Sequence, residues 1–489
     1  MPALPARCCR TICIALVLGA TMVMPASSIE LTREFNDELV QRLELAEQQI
    51  QDLQGRLAAA DAAVATEQIA STISVHELSR EDATKPSTLK INGRIHLDYW
   101  NFADESPGIR FFEHPVQASP NYGTDIEDRL FFRRIRLNFQ GDLWETMVYR
   151  MQIDFNTPDS GEIKDVYIGF EDVPFHNKVL IGNQKRPIGL DHLNSSRFNI
   201  FIERPLVVEA FNEDARRIGI AAYNQNEDSS IIWAYGLYAL QNPNSRGRII
   251  GDSGQWSGNL RVAGSPWYDE RSGGREYVHL GISGMVAKPD GDAFLSDGNL
   301  NEARFRTRSE VRSNLRWLST GRIALADWYE TLGLEMIANF GPLQIVGEYQ
   351  SNWTQRESST SESRPDLNFQ GGYVYIAYML TGEHVPYKRS TGTIDRVRPF
   401  TNLVGGSACD SPGWGALQVA VRFSYLDLTD HDIKGGIGEN ISGGIVWYFS
   451  PNASLQFNAV YGEIDNRAPI ESLSDGHFVA LGARLRANF

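Results

Sequence analysis

From Leu89 to the last residue the chain alternates apolar and polar side chains with a period of two. Leu89, Ile91, Ile95, Leu97 and Tyr99 stand against Lys90, Asn92, Arg94, His96 and Asp98. Met147, Tyr149, Met151, Ile153 and Phe155 alternate with Arg150, Gln152, Asp154 and Asn156, and Val166, Ile168 and Phe170 follow. Further runs centre near residues 218, 235, 281, 335, 347, 375, 421, 445 and 458. This is the period of a β-strand with two unlike faces. The last run constrains the fold most. Val479, Leu481, Ala483, Leu485, Ala487 and Phe489 share one face; Ala480, Gly482, Arg484, Arg486 and Asn488 share the other. A closed membrane barrel gives hydrocarbon to the first set and a watery lumen to the second. No apolar run of about 18 residues follows the N-terminal segment, so no transmembrane helix is expected.

Connections between the runs are unequal. Gly341-Pro342 and Ser450-Pro451-Asn452 are tight, whereas 101–129, 241–274 and 353–368 are long and polar. Short turns at one end and long loops at the other is the plan of outer-membrane barrels. The expected fold class is all-β: a transmembrane antiparallel barrel of about sixteen strands, one of them drawn from 304–317. The apolar final strand ending in Phe489 is the form such proteins present to the barrel assembly machinery. Outer-membrane lipid is the other expected partner of the apolar face.

Ahead of the barrel the pattern changes twice. Residues 1–28 read as a secretory signal peptide: Arg7 and Arg10, then an apolar stretch from Thr11 to Val23, then Ala26-Ser27-Ser28. Leu39, Leu43, Ala46, Ile50, Leu53, Leu57, Ala60 and Val64 are spaced by fours and threes, a heptad seam that predicts a coiled coil over 29–70. Residues 71–87 form a linker and 88–489 the barrel, with the coiled coil expected in the periplasm. Of four cysteines three lie in the leader, so Cys409 alone supports neither an internal disulfide nor a cysteine zinc site. A net charge of -15 argues against nucleic acid as a partner. Nucleotide-binding, metalloprotease and nucleophile-elbow motifs are absent and the histidines lack metal spacing, so neither an enzyme, a cofactor nor a metal is expected.

One stretch breaks the alternation. Gly182 to Arg204 carries Lys185, Arg186, Arg197 and Arg204 with His192, Ser195 and Ser196, yet also Ile188, Leu190, Phe198, Ile200, Phe201 and Ile202. A loop this apolar packs against something. The expectation is a loop folded inward over about 185–214, lining an anion-attracting constriction. Upstream, Ile135, Leu137 and Phe139 define a lipid face, so Arg134 and Arg136 point into the lumen while Arg133 falls out of phase unless a bulge turns it. By the same phase Asp165 points inward, to hold a cationic side chain. Arg304, Arg306, Arg308, Arg312 and Arg316 occupy alternate positions and would form a row of guanidiniums about 7 Å apart if extended. Arginine suits oxyanions because its charged planar fork makes bidentate contacts.

Several of these stretches together resemble the phosphate-selective porin O and P family of bacterial outer-membrane proteins. They are Arg133 to Leu137, Lys164 to Ile168, Gly182 to Asp191, Ser195 to Arg197, Glu203-Arg204 and Arg216 to Gly219. The resemblance implies a trimer of sixteen-stranded barrels whose third extracellular loop bends inward and binds phosphate or polyphosphate. It assigns the paired arginines to Arg133 and Arg134, the inward aspartate to Asp165, the loop serines to Ser195 and Ser196, and a further arginine to Arg204. Where phosphate-selective members carry lysine after the Gly-Leu-acid motif, this chain has His192, which predicts a conductance that shifts between about pH 5 and 8. The expected function is passive diffusion of small inorganic anions through a homotrimeric channel in the outer membrane. A non-selective nutrient porin, or an envelope protein tethering the membrane to the cell wall through its coiled coil, are the alternatives.

Overall fold

The computed structural model describes residues 72–74, 87–156, 161–213, 215–244, 254–291, 300–357, 364–403 and 413–489. The segments 1–28 and 29–70 lie outside the described residues.

Sixteen antiparallel strands close into one barrel. They are β1 (Thr88–Glu105), β2 (Arg129–Leu143), β3 (Met147–Asp154), β4 (Glu162–Val173), β5 (His176–Lys185), β6 (Arg216–Gln225), β7 (Ile231–Ala239) and β8 (Trp256–Tyr268). They continue with β9 (Glu276–Lys288), β10 (Ala326–Phe340), β11 (Leu343–Arg356), β12 (Leu367–Met379), β13 (Ala416–Asp430), β14 (Ile433–Ser450), β15 (Ala453–Arg467) and β16 (Gly476–Asn488). Each pairs with the next, and β16 returns to β1 with Arg94 opposite Asn488 and Glu105 opposite Phe478. Closure satisfies every ladder, which a bilayer demands because its core offers no water to an open sheet edge. A short strand, Thr72–Ser74, lies against Thr88–Lys90.

Closure also fixes which side chains face outward. In β16 Ala480, Arg484 and Arg486 are buried, whereas Leu481 and Leu485 are exposed on the outer wall. The same division runs round the barrel, with Ile95, Ile168, Ile220, Leu334, Val421 and Ile445 all outward. Aromatic pairs sit at both rims: Trp256 and Trp328 at the long-loop end with centroids 5.5 Å apart, Trp267 and Phe340 at the turn end at 5.8 Å. Rings at both ends of an apolar band mark the two membrane interfaces.

Two expectations are corrected. The strand drawn from 304–317 does not form: only Arg306–Thr307 pairs, with Leu318–Ser319, and positive φ at Ser309 and Glu310 turns the chain. The sixteenth strand is β8, inside the stretch 241–274 read as a loop. Its outward positions include Gly258 and Gly264, and Pro266 follows, so its apolar row is diluted. The alternation of turns and loops also has two exceptions. Residues 431–432 make a tight turn at the long-loop end, and 380–415 make a long connection at the turn end.

That connection enters the barrel. Val385, Tyr387, Ile394 and Val397 are buried. Tyr387 stacks on Tyr277 with centroids 4.9 Å apart and its hydroxyl lies 2.7 Å from His279 Nδ1. From the opposite end 186–215 and 302–325 also turn inward. Ile188, Leu190, Phe201, Leu206 and Trp317 join one apolar cluster with strand residues such as Phe369, so the core of the lumen is shared between inserted segments and the wall. The wall itself is expected to respond to charge according to facing. Leu481→Arg should destabilise the barrel by about 2–4 kcal/mol if it lies near the midplane, read as a lower urea midpoint in lipid vesicles. An unchanged midpoint would contradict the outward placement.

Candidate functional site

The segment between β5 and β6 is fastened across the lumen at each step. Gly189 takes φ 65°, and a Cβ there would lie 2.8 Å from Glu348 Oε2. That glycine lets the chain turn so that the Leu190 and Asp191 amides donate to the Glu348 carboxylate at 2.7 and 2.6 Å. The tip is gripped by the far wall. Gln456 donates to the Asn199 and Ile200 carbonyls at 2.9 Å, and Ile202 N donates to Asn458 Oδ1 at 2.6 Å. Arg422 lies 4.2 Å over the Phe201 ring. The apolar residues that looked misplaced in a polar loop are its anchors; Lys185, Arg197 and Arg204 line the channel, while Arg186 is buried against Met285.

Two bulges then load the opposite wall with charge. Register slips between β1 and β2, so that His96 faces Arg134 and Leu97 faces Phe132, leaving Arg133 unpaired. The bulge turns Arg133 inward beside Arg134, and Arg133 donates to Glu203 at 3.0 Å. A second slip sets Met151 against Val166 and Ile153 against Ile163. Lys164 and Asp165 thereby both face the lumen. Breaking strict alternation at these two points is how the wall presents adjacent charged residues to one space.

The space is a cavity of about 1300 Å³. Arg133, Arg134, Arg136, Asp165, Lys185, His192, Ser195, Ser196 and Arg204 all line it, as do Arg308, Arg312 and Arg316. Arg304 and Arg306 do not: with Arg316 they converge on Glu213, at 3.7, 2.5 and 2.8 Å. Arg308 pairs with Glu209 at 3.0 Å. The expected row of guanidiniums is therefore not a straight ladder. Most of it clamps segment 302–325 to the helix Leu206–Phe211 and the residues after it.

Pairing divides the cavity's cations into two kinds. Arg136 is held by Asp154 at 2.6 Å, Arg204 by Asp191, and Arg216 by Asp165 at 2.6 Å with Arg150 beside it at 3.6 Å. Asp165 thus holds cationic side chains, as its phase implied. Arg484 bridges Asp98 at 2.6 Å and Glu203 at 3.2 Å. Among the described residues, the cavity arginines Arg94, Arg134, Arg197 and Arg312 have no carboxylate partner. Arg94 donates to Ser196 Oγ at 2.8 Å, and Arg134 lies 3.3 Å from His96 Nδ1. Arg133 together with burial pulls Arg312 down to about 9, which leaves it a cation at neutral pH. Arg94 was not singled out from sequence. It shares its strand face with His96 and Asp98, so phase would have found it, but nothing in the sequence shows that Ser196 meets it.

Two loop residues behave differently from expectation. The Lys185 ammonium donates to the carbonyls of His192, Leu193 and Asn194 at 2.8, 3.0 and 3.0 Å, so its three protons are spent on loop shape. His192 is buried and its Nε2 has no partner among the described residues. Burial first, then Lys185 and Arg186, hold it well below the usual imidazole range. That environment favours the neutral imidazole and so runs against a shift between about pH 5 and 8. Glu203 shows the opposite balance: burial disfavours its charge, but Arg133 and Arg484 outweigh it and hold the carboxyl well below the ordinary range. Conductance from pH 5 to 8 should accordingly show no step that His192→Gln removes; a step lost in that variant would place a titrating imidazole in the channel.

Known proteins resemble the chain in outline and in sequence. Solved structures of similar outline include the anion-selective porin of Comamonas acidovorans, at 12% identity over 82% of this chain and 100% of that one, TM-score 0.47. Another is OmpT of Vibrio cholerae, at 11% identity over 82% of this chain and 99% of that one, TM-score 0.47. An uncharacterised protein of Caulobacter vibrioides is 29% identical over 82% of this chain and 74% of its own length. Porin O of Pseudomonas aeruginosa is 21% identical over 77% of this chain and 83% of its own length. The model of the family "Phosphate-selective porin O and P" matches residues 115–489, and the chain belongs to that family of outer-membrane porins.

Proposed function

We propose that this porin passes small inorganic anions, with phosphate and short polyphosphates the leading substrates, and that the cavity walled by residues 186–215 is its selective constriction. The observation that carries the reading is the set of unpaired cations. Arg94, Arg134, Arg197 and Arg312 face or adjoin a cavity where neighbouring guanidiniums are already neutralised. An arginine held by a carboxylate has little left for a passing ion. One held only by a serine or a histidine keeps most of its field and can exchange a weak hydrogen bond for a charge-assisted one. Ser195 and Ser196 supply hydroxyls that replace hydration without adding charge. The family's description supports phosphate as the first anion to test.

The working form is proposed to be a homotrimer in the outer membrane, with 29–70 a periplasmic coiled coil that joins the three chains. Asp165, Arg136 and Arg204 shape the field through their ion pairs, while Arg133 and Lys185 fix the loop. The test is single-channel conductance of the full chain in planar bilayers. Anion-over-cation selectivity is expected in chloride, with current falling as phosphate or pyrophosphate is added. Arg94→Ala should raise the half-blocking phosphate concentration roughly tenfold or more, the equivalent of a charged hydrogen bond of about 1.5–3 kcal/mol. Cation preference, or size exclusion without ion selectivity, would sink this reading in favour of a general nutrient porin.

A further inference from the structure

Arg94 and Arg134 are aimed into the cavity by the strands that carry them. Arg312 has no strand beneath it. It belongs to 302–325, where among the described residues only Arg306–Thr307 pairs, with Leu318–Ser319. A guanidinium on an unpaired stretch of chain keeps one direction only if something else fixes its backbone, because a free loop and a long side chain sample many.

The fixing group comes from the connection between β1 and β2. A short helix, Pro107–Glu113, ends on a buried carboxylate. Glu113 Oε1 accepts from Arg129 Nη2 and from the Asn314 amide, both at 2.7 Å. Its Oε2 accepts from the Leu315 amide at 3.1 Å and from Trp317 Nε1 at 2.9 Å. Arg129 passes the hold on: its Nη1 donates to the Arg312 carbonyl at 2.7 Å and to Asn314 Oδ1 at 3.0 Å. The Trp317 ring packs on Phe102 of β1 and Phe478 of β16, with centroids 6.3 and 5.0 Å apart. The backbone on the C-terminal side of Arg312 is thereby tied to the seam of the barrel. The ties stop at the backbone: among the described residues no carboxylate pairs with the Arg312 guanidinium, and it lines the cavity.

We propose that Glu113 is a positioning residue for permeation, acting through Arg129 to aim Arg312 at the passing anion. The inference rests on the anion-passing reading and deepens it, by naming what sets one of the unpaired cations in place. Charge explains the residue type. A carboxylate offers both oxygens to four converging donors, and its bonds to them are charge-assisted. A glutamine of the same shape would turn its NH2 toward two of those donors. Removing the carboxylate also leaves Arg129 without its counter-charge, and with that goes the grip on the Arg312 carbonyl.

A double-mutant cycle on the full chain in planar bilayers tests this, read as block of the current by inorganic phosphate. Glu113→Ala should raise the half-blocking phosphate concentration about three- to tenfold, with Glu113→Gln falling between it and the parent. In Arg312→Ala channels the same change should add nothing, because the side chain that Glu113 aims is gone. A merely structural role would weaken block by the same factor in both backgrounds, and that result would overturn the proposal. So would an unchanged block in Glu113→Ala, or in Arg312→Ala. Where Glu113→Ala does not assemble, Glu113→Gln is read in its place against the same Arg312→Ala background. A parent channel that phosphate does not block would overturn the anion-passing reading and this one together; every other failure leaves the wider reading standing.

Discussion

The pairing of β16 with β1 is the constraint on which everything else hangs. Once Arg94 is set opposite Asn488 the cylinder is closed, and each residue is committed to lipid or lumen with no third option. Arg484 and Arg486 show the consequence. On the outer wall either would face hydrocarbon; inside, Arg484 reaches Asp98 at 2.6 Å and the inserted loop at Ile202 O at 2.7 Å. The seam that closes the barrel is thus also one of the posts to which the constriction loop is tied.

Inserted segments solve a second problem, which is that a sixteen-stranded cylinder is too wide to select anything by its walls alone. Residues 186–213 and 302–325 descend from the long-loop end and 384–397 rises from the turn end. They meet: Ile394 N donates to Asn194 Oδ1 at 3.0 Å. Each carries its own apolar anchors, such as Phe201, Trp317 and Tyr387, so burial of nonpolar area holds the segments where strand pairing cannot. The polar network at the turn-end anchor is dense. Glu335 accepts from Arg261 at 2.5 Å and lies 2.9 Å from His279, and Arg261 also donates to Gly392 O at 2.9 Å.

What could be read from sequence follows from range. Alternation is local, so most strands, the outward apolar face and the inward Arg134, Arg136 and Asp165 were legible. The apolar residues of 182–204 announced packing because no solvent loop keeps so many. Features set by register or by distant contact were not legible. The bulge at Arg133 exists only relative to β1, and β8 is hidden by glycines whose outward role needs neighbours. The regular spacing from Arg304 to Arg316 suggested an extended row, but positive φ at Ser309 and Glu310 folds it, and Glu209 and Glu213 claim its charges. The inward course of 385–397 left no periodic trace at all.

The division between paired and unpaired arginines shows why so many can be present without trapping an anion. At an effective dielectric of about 20, two charges 4 Å apart interact by about 4 kcal/mol, against about 1 kcal/mol in water. A cavity lined by bare guanidiniums at such separations would hold a phosphate too tightly to release it. Here Asp154, Asp165, Asp191 and Glu203 absorb most of that field and convert those arginines into rigid walls. Arg94, Arg134, Arg197 and Arg312 remain, the first two restrained by Ser196 and His96 rather than by opposite charge. A neutral His192 beside Lys185 fits the same economy: it fills a position near the cations without adding to their number. Conduction needs attraction strong enough to admit an ion and weak enough to let it go. In a channel that passes anions as proposed, these carboxylates set that second limit.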